Sequence, residues 1–105
     1  MARKQTFLAA VWSDAWKESY ARLSAERQVA CDETAMALIK RISSAGLRIK
    51  PIQPAKYYLE ARINSGDRIV FRLAEGTIFF IDIVAHDDIS RYGKRRPTPS
   101  GPAPA

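Results

Sequence analysis

The spacing of apolar residues changes period part-way along the chain, and that change restricts the fold more than any other feature. In the first half, Cys31, Ala35, Leu38, Ile42 and Ala45 recur at steps of four and three and form one helical stripe. From Tyr58 onward the apolar residues alternate with polar ones. Leu59, Ala61 and Ile63 alternate with Tyr58, Glu60, Arg62 and Asn64, and Ile69, Phe71 and Leu73 alternate with Arg68, Val70 and Arg72. Such alternation marks half-buried strands. Residues 47–56, with Pro51 and Pro54, separate the two regimes and read as an extended connector.

Turn and cap signals divide these regimes into elements. The apolar run at residues 7–12 suits either a buried strand, over residues 6–12, or the first turns of a helix. Ser13-Asp14 favours a strand there, because serine caps a helix and splits the run from the helix after it. The expected helices cover residues 14–22 and the segment from Ser24 to just before Gly46. In the second, Glu26 sits in the first turn, with Lys40 and Arg41 near the end. Only Leu23-Ser24 separates them, so they should form an antiparallel hairpin. Asn64-Ser65-Gly66-Asp67 and Ala74-Glu75-Gly76-Thr77 read as hairpin turns between strands. Residues 77–85 are apolar on both faces apart from Asp82, as suits a central strand. The expectation is an α+β fold: a two-helix hairpin packed on a mainly antiparallel sheet, in the order β-α-α-β-β-β. One domain should occupy residues 1–94. Residues 95–105, basic and rich in proline, should form a disordered tail.

Composition bounds the function classes. A chain of 105 residues suits one domain. Its formal net charge of +6 favours an acidic partner such as nucleic acid, the ribosome or an acidic protein. A single cysteine, Cys31, rules out an internal disulfide, and one cysteine with one histidine does not make a tetrahedral zinc set. Neither a signal peptide nor a membrane-length apolar run is recognisable, so a cytoplasmic protein is expected, with no cofactor and no membrane partner.

Three short motifs in order carry a family resemblance. They are Glu60-Ala61-Arg62-Ile63, Asp67-Arg68-Ile69-Val70-Phe71 and Ile83-Val84-Ala85-His86-Asp87, preceded by a helix-like segment at residues 16–23. Together with the order of elements, they resemble the RelE/ParE superfamily of toxins from type II toxin–antitoxin systems. The resemblance spans residues 7–94. It implies a small toxin neutralised by a cognate antitoxin, which alone would contact operator DNA. Two activities are open. One is metal-independent, ribosome-associated endoribonuclease cleavage of mRNA. The other is inhibition of DNA gyrase without nuclease chemistry. A non-toxic relative that only binds a partner is a third possibility.

Cleaving RNA through its 2′-hydroxyl requires proton transfer and cations to steady the phosphorane. His86 is the single histidine, the side-chain type that exchanges protons near neutral pH. Arg62 and Arg68 stand on adjacent strands, a turn apart, and suit phosphate. Tyr92 offers stacking or a hydrogen bond. The resemblance implies catalytic roles for His86, Arg62, Arg68 and Tyr92. Arg48, Lys50, Lys56, Arg72 and Lys94 extend the candidate RNA- and phosphate-binding surface. Asp87-Asp88 depart from the pattern, because better-known nucleases of the family often carry basic residues there. Structural readings stand beside these: Arg62 paired with Glu60 or Asp82, Arg68 paired with Asp67 or Asp88, and Trp12 and Trp16 as core or as a surface covered by an antitoxin.

Overall fold

The computed structural model describes residues 7–41, 45–53 and 58–94. Its elements run β1 (Ala9–Trp12), α1 (Asp14–Ala21), α2 (Ala25–Ile39), β2 (Lys50–Pro51), β3 (Leu59–Arg62), β4 (Asp67–Ala74), β5 (Thr77–Ala85) and α3 (Ser90–Lys94). Short 3-10 turns occupy Ala45–Leu47 and His86–Asp88. The strands form one sheet in the order β1-β5-β4-β3-β2. β1 runs parallel to β5, and the other pairings are antiparallel. The α+β fold is as expected: a helix hairpin against a mainly antiparallel sheet. No described helix is long and apolar enough to cross a membrane.

Both serine caps form. Ser13 Oγ accepts from the Trp16 N–H at 3.0 Å and Ser24 Oγ from the Arg27 N–H at 3.3 Å. Each satisfies one of the free N–H groups at a helix start. Ser13 Oγ also donates to the Ile81 carbonyl, which ties the start of α1 to β5. Tyr20 OH bridges the hairpin by donating to Asp32 Oδ2 at 3.0 Å.

The sheet buries both faces by separate means. On the helix side, Trp16, Cys31, Ala35 and Leu38 pack with Ala61, Ile69, Phe71, Ile78, Phe80 and Ile83. Cys31 is fully buried, and that burial, more than the nearby Asp32, pushes its thiol pKa up to about 12. Trp12 is partly exposed but stacks on Phe80, with ring centroids 4.2 Å apart. On the opposite face a smaller cluster joins Ile52, Tyr58, Val70, Ile81 and Tyr92, so the C-terminal α3 covers part of that face.

Three boundaries depart from the sequence reading. First, α2 stops at Ile39, with Lys40 as its cap, rather than continuing to Ala45. A continuing helix would use the Ile39 carbonyl internally. Here that carbonyl accepts from Leu8 N–H at 2.9 Å, and Arg41 turns into the left-handed region at φ 61°. The Ala45 position of the stripe therefore lies beyond the helix, and Ile42 lies outside the described residues. Second, the connector contributes the edge strand β2, where Pro51 is tolerated because it needs no outward ladder bond. Third, β5 carries a bulge: Val70 pairs with Asp82 and Phe71 with Phe80, which leaves Ile81 as the extra residue. The proposed tail at 95–105 lies outside the described residues.

Candidate functional site

One end of the sheet gathers three of the residues singled out in the sequence. Arg62, Arg68 and Val84 form a cross-strand rank on β3, β4 and β5. The arginines alternate with Ala61 and Ile69, which sit in the helix-side core, so both arginines face away from the helices. His86 follows β5 directly, and its backbone N–H donates to the Gly66 carbonyl at 2.9 Å. That contact carries the β4–β5 register one residue further and sets His86 diagonal to Arg68.

These three groups differ in how free they are. The His86 side chain is 57% exposed, and its Nδ1 lies 3.5 Å from Asp87 Oδ1. That is longer than an ordinary hydrogen bond, so the exposed Asp87 supplies nearby charge rather than a fixed orientation. Among the described residues, the side chain of half-buried Arg62 makes no hydrogen bond or ion pair, with Glu60, Asp82 or any other. Arg68 is largely committed to the turn before it. Its Nη1 donates to the carbonyls of Asn64 at 2.6 Å, Asp67 at 3.1 Å and Ser65 at 3.4 Å. Its Nε lies 3.7 Å from Glu60 Oε1, while Nη2 takes part in none of these contacts. The partners expected from sequence, the carboxylates of Asp67 and Asp88, are engaged by Arg27 and Arg91 instead.

Tyr92 does not join the three. It is 5% exposed, packs edge-on against Tyr58 and donates its hydroxyl to Asp82 Oδ2 at 2.6 Å. A ring so enclosed has no face open for stacking on a base. The same carboxylate accepts from Ser19 Oγ at 2.6 Å and from its neighbour's N–H, so the one acidic residue of β5 links α1 to α3. Other candidate cations are scattered. Arg48 and Lys50 are exposed near the β2 edge, and Lys50 pairs in register with Glu60. Arg72 shares the arginine face, its guanidinium 5.9 Å from the centre of the Phe79 ring. Lys56 and the side chain of Lys94 lie outside the described residues.

A network missed in the sequence holds the turn beside His86. Arg27 donates to both oxygens of Asp67, from Nε at 2.9 Å and from Nη2 at 2.7 Å. Asn64 Nδ2 adds a third donor at 3.0 Å. The Arg27 hydrogen bonds lead in holding the Asp67 carboxyl below the usual range, against the opposing effect of burial. Asn64 Oδ1 accepts from the N–H groups of Gly66 and Asp67, both at 2.8 Å, which closes the turn. Asn-Ser-Gly is a local turn signal and was legible. Arg27, forty positions away on α2, carries no such signal.

Comparison with solved structures places this architecture. YafQ from E. coli strain BL21(DE3) superposes with a TM-score of 0.65 at 15% identity, over 78% of this chain and 97% of that one. The chain has the RelE/ParE-like toxin fold. The RelE/ParE-like fold recurs in the YoeB/ParE toxin from Agrobacterium tumefaciens, with a TM-score of 0.62 at 19% identity, over 75% of this chain and 99% of that one. It recurs also in the toxin–antitoxin complex RelBE2 from Mycobacterium tuberculosis, with a TM-score of 0.62 at 14% identity, over 76% and 99%. No protein-family model and no curated protein matches the chain. In this RelE/ParE-like frame the helix hairpin occupies one sheet face, and the arginine rank belongs to the other.

Proposed function

We propose that this chain is the toxin of a toxin–antitoxin pair and cleaves mRNA on the ribosome. The observation that carries this reading is the convergence of Arg62, Arg68 and His86 on one sheet end. A nuclease needs its proton-transfer group and its phosphate-binding cations in one place, whereas a binder of gyrase does not. In the reaction a ribose 2′-oxygen attacks the adjacent phosphorus, and the bond to the 5′-oxygen of the next nucleotide breaks. The 2′-hydroxyl loses its proton and the departing 5′-oxygen gains one, and His86 carries the proton between them. Arg62 and the uncommitted Nη2 of Arg68 neutralise the phosphorane.

A cognate antitoxin is part of the proposal. Several neighbours of this fold are toxin–antitoxin complexes, including DinJ-YafQ from E. coli. Exposed Val29 and Met36 on α2, and Leu73 on β4, offer apolar surface to such a partner. The alternative of a gyrase-inhibiting toxin draws on the acidic Asp87, which is 98% exposed beside His86 and repels RNA.

The test is expression of wild type and His86→Ala in bacteria, with growth and transcript integrity followed together. Wild type is expected to arrest growth with cleaved transcripts, and His86→Ala to lower cleavage by about 100-fold or more. Growth arrest with intact mRNA and an induced DNA-damage response would sink the nuclease reading in favour of gyrase. No arrest at all would favour a non-toxic relative.

A further inference from the structure

The turn that seats His86 is held from the other layer of the molecule. The Gly66 carbonyl, which accepts from the His86 N–H, belongs to a turn closed by Asn64 Oδ1. Asn64 in turn donates to Asp67, and Asp67 is gripped at both oxygens by Arg27 from the first turn of α2. We propose that Arg27 is a positioning residue for His86, acting through Asp67 and the turn at residues 64–66. This inference rests on the reading of His86 as the proton-transfer group.

The physical reason lies in the buried end of the pair. An exposed ion pair is worth little, and the Arg27 side chain is 50% exposed. The Asp67 side chain is only 8% exposed, and the two-pronged contact fixes its plane. Without Arg27 this carboxylate keeps one of its three side-chain donors, that from Asn64. A buried carboxylate left so poorly paired turns toward water, and the Asn64 bond moves with it. The displacement then reaches the Gly66 carbonyl and the backbone of His86. Misplacing a reacting group by about 1 Å costs on the order of 100-fold in rate. Arg68 grips the same turn through the Asn64 carbonyl, so one shift disturbs both groups.

Two measurements on the purified full chain test the proposal: cleavage of ribosome-bound mRNA, and amide hydrogen exchange read by NMR at His86, with Phe71 in the sheet centre as reference. Arg27→Ala is expected to lower kcat by about 10- to 100-fold with KM unchanged, because Arg27 lies on the helix side of the sheet. Exchange at His86 should rise roughly 10-fold while Phe71 keeps its protection. Arg27→Lys retains the charge but not the two-pronged contact, and should fall between the two. Wild-type kcat with wild-type exchange at His86 would overturn the proposal. So would a loss of protection shared equally by Phe71, which would signal general destabilisation. If Arg27→Ala fails to fold, Arg27→Lys decides by the same readings. If neither wild type nor His86→Ala cleaves any transcript, the proposed function fails by itself. Exchange then decides the coupling alone: unchanged protection at His86 in Arg27→Ala overturns it, and selective loss upholds it.

Discussion

Asp67 accepts three side-chain hydrogen bonds, two from Arg27 on α2 and one from Asn64 in the turn. In the sequence it reads as a turn residue and a candidate partner of Arg68, yet it is 5% exposed and is gripped by Arg27, which holds α2 to the β3–β4 turn. Its folded pKa lies below the usual 3.8, first because of the Arg27 hydrogen bonds. The unfolded chain therefore takes up this proton at a higher pH than the folded protein. The stabilisation is complete above about pH 4, and is lost as pH falls through the lower folded value. Asp67→Asn should thus lower stability at pH 7 and flatten its loss in acid. Thermal unfolding of both proteins between about pH 2.5 and 7 checks this. Parallel curves would mean that Asp67 does not titrate as argued. Cys31 is the converse case: with its thiol pushed up to about 12, it serves packing and is a poor nucleophile at neutral pH.

At the scale of elements, short segments are secured by polar contacts to β5. Ser13 caps α1 and bonds to the bulged Ile81, and Tyr92 anchors α3 on Asp82. A five-residue helix has too few internal hydrogen bonds to persist alone, so α3 depends on that anchor. Tyr92→Phe keeps the packing against Tyr58 but removes a hydrogen bond to a charged acceptor. It should cost about 1.5–3 kcal/mol in urea unfolding. A change below about 0.5 kcal/mol would show that α3 is held by apolar contact alone. The same anchor explains why an aspartate is tolerated in an otherwise apolar central strand. The bulge and the two hydroxyls supply what the strand ladder does not.

At the scale of the molecule, a net charge of +6 is not one basic surface. Arg27, Arg68 and Arg91 face carboxylates, while Arg62 and Lys50 remain near the open sheet face. RNA binding by this face should accordingly be modest and salt-dependent. Two phosphate contacts, from Arg62 and Lys50, give a slope of about −1.4 in log K against log salt for a single strand, and Arg62→Ala should reduce it by about 0.7. Fluorescence anisotropy with a short single-stranded RNA measures both. A salt-independent affinity would place the contact elsewhere than on the arginines.

The chain's own order of residues determined the fold class, the helix starts and the hairpin turns. Period, serine caps and Asn-Gly-type turn chemistry are local properties, set by neighbours within a few positions. The cross-strand rank of Arg62 and Arg68 was also legible, because a short turn leaves few registers that keep the apolar faces together. Only tertiary structure decided the rest. It ended α2 early, because the N–H of Leu8, just before β1, took the Ile39 carbonyl. It buried Tyr92 against Asp82, and it brought Arg27 to Asp67. Each of those contacts joins residues that share no periodic relation, so their partners are chosen by the packing of layers and not by spacing along the chain.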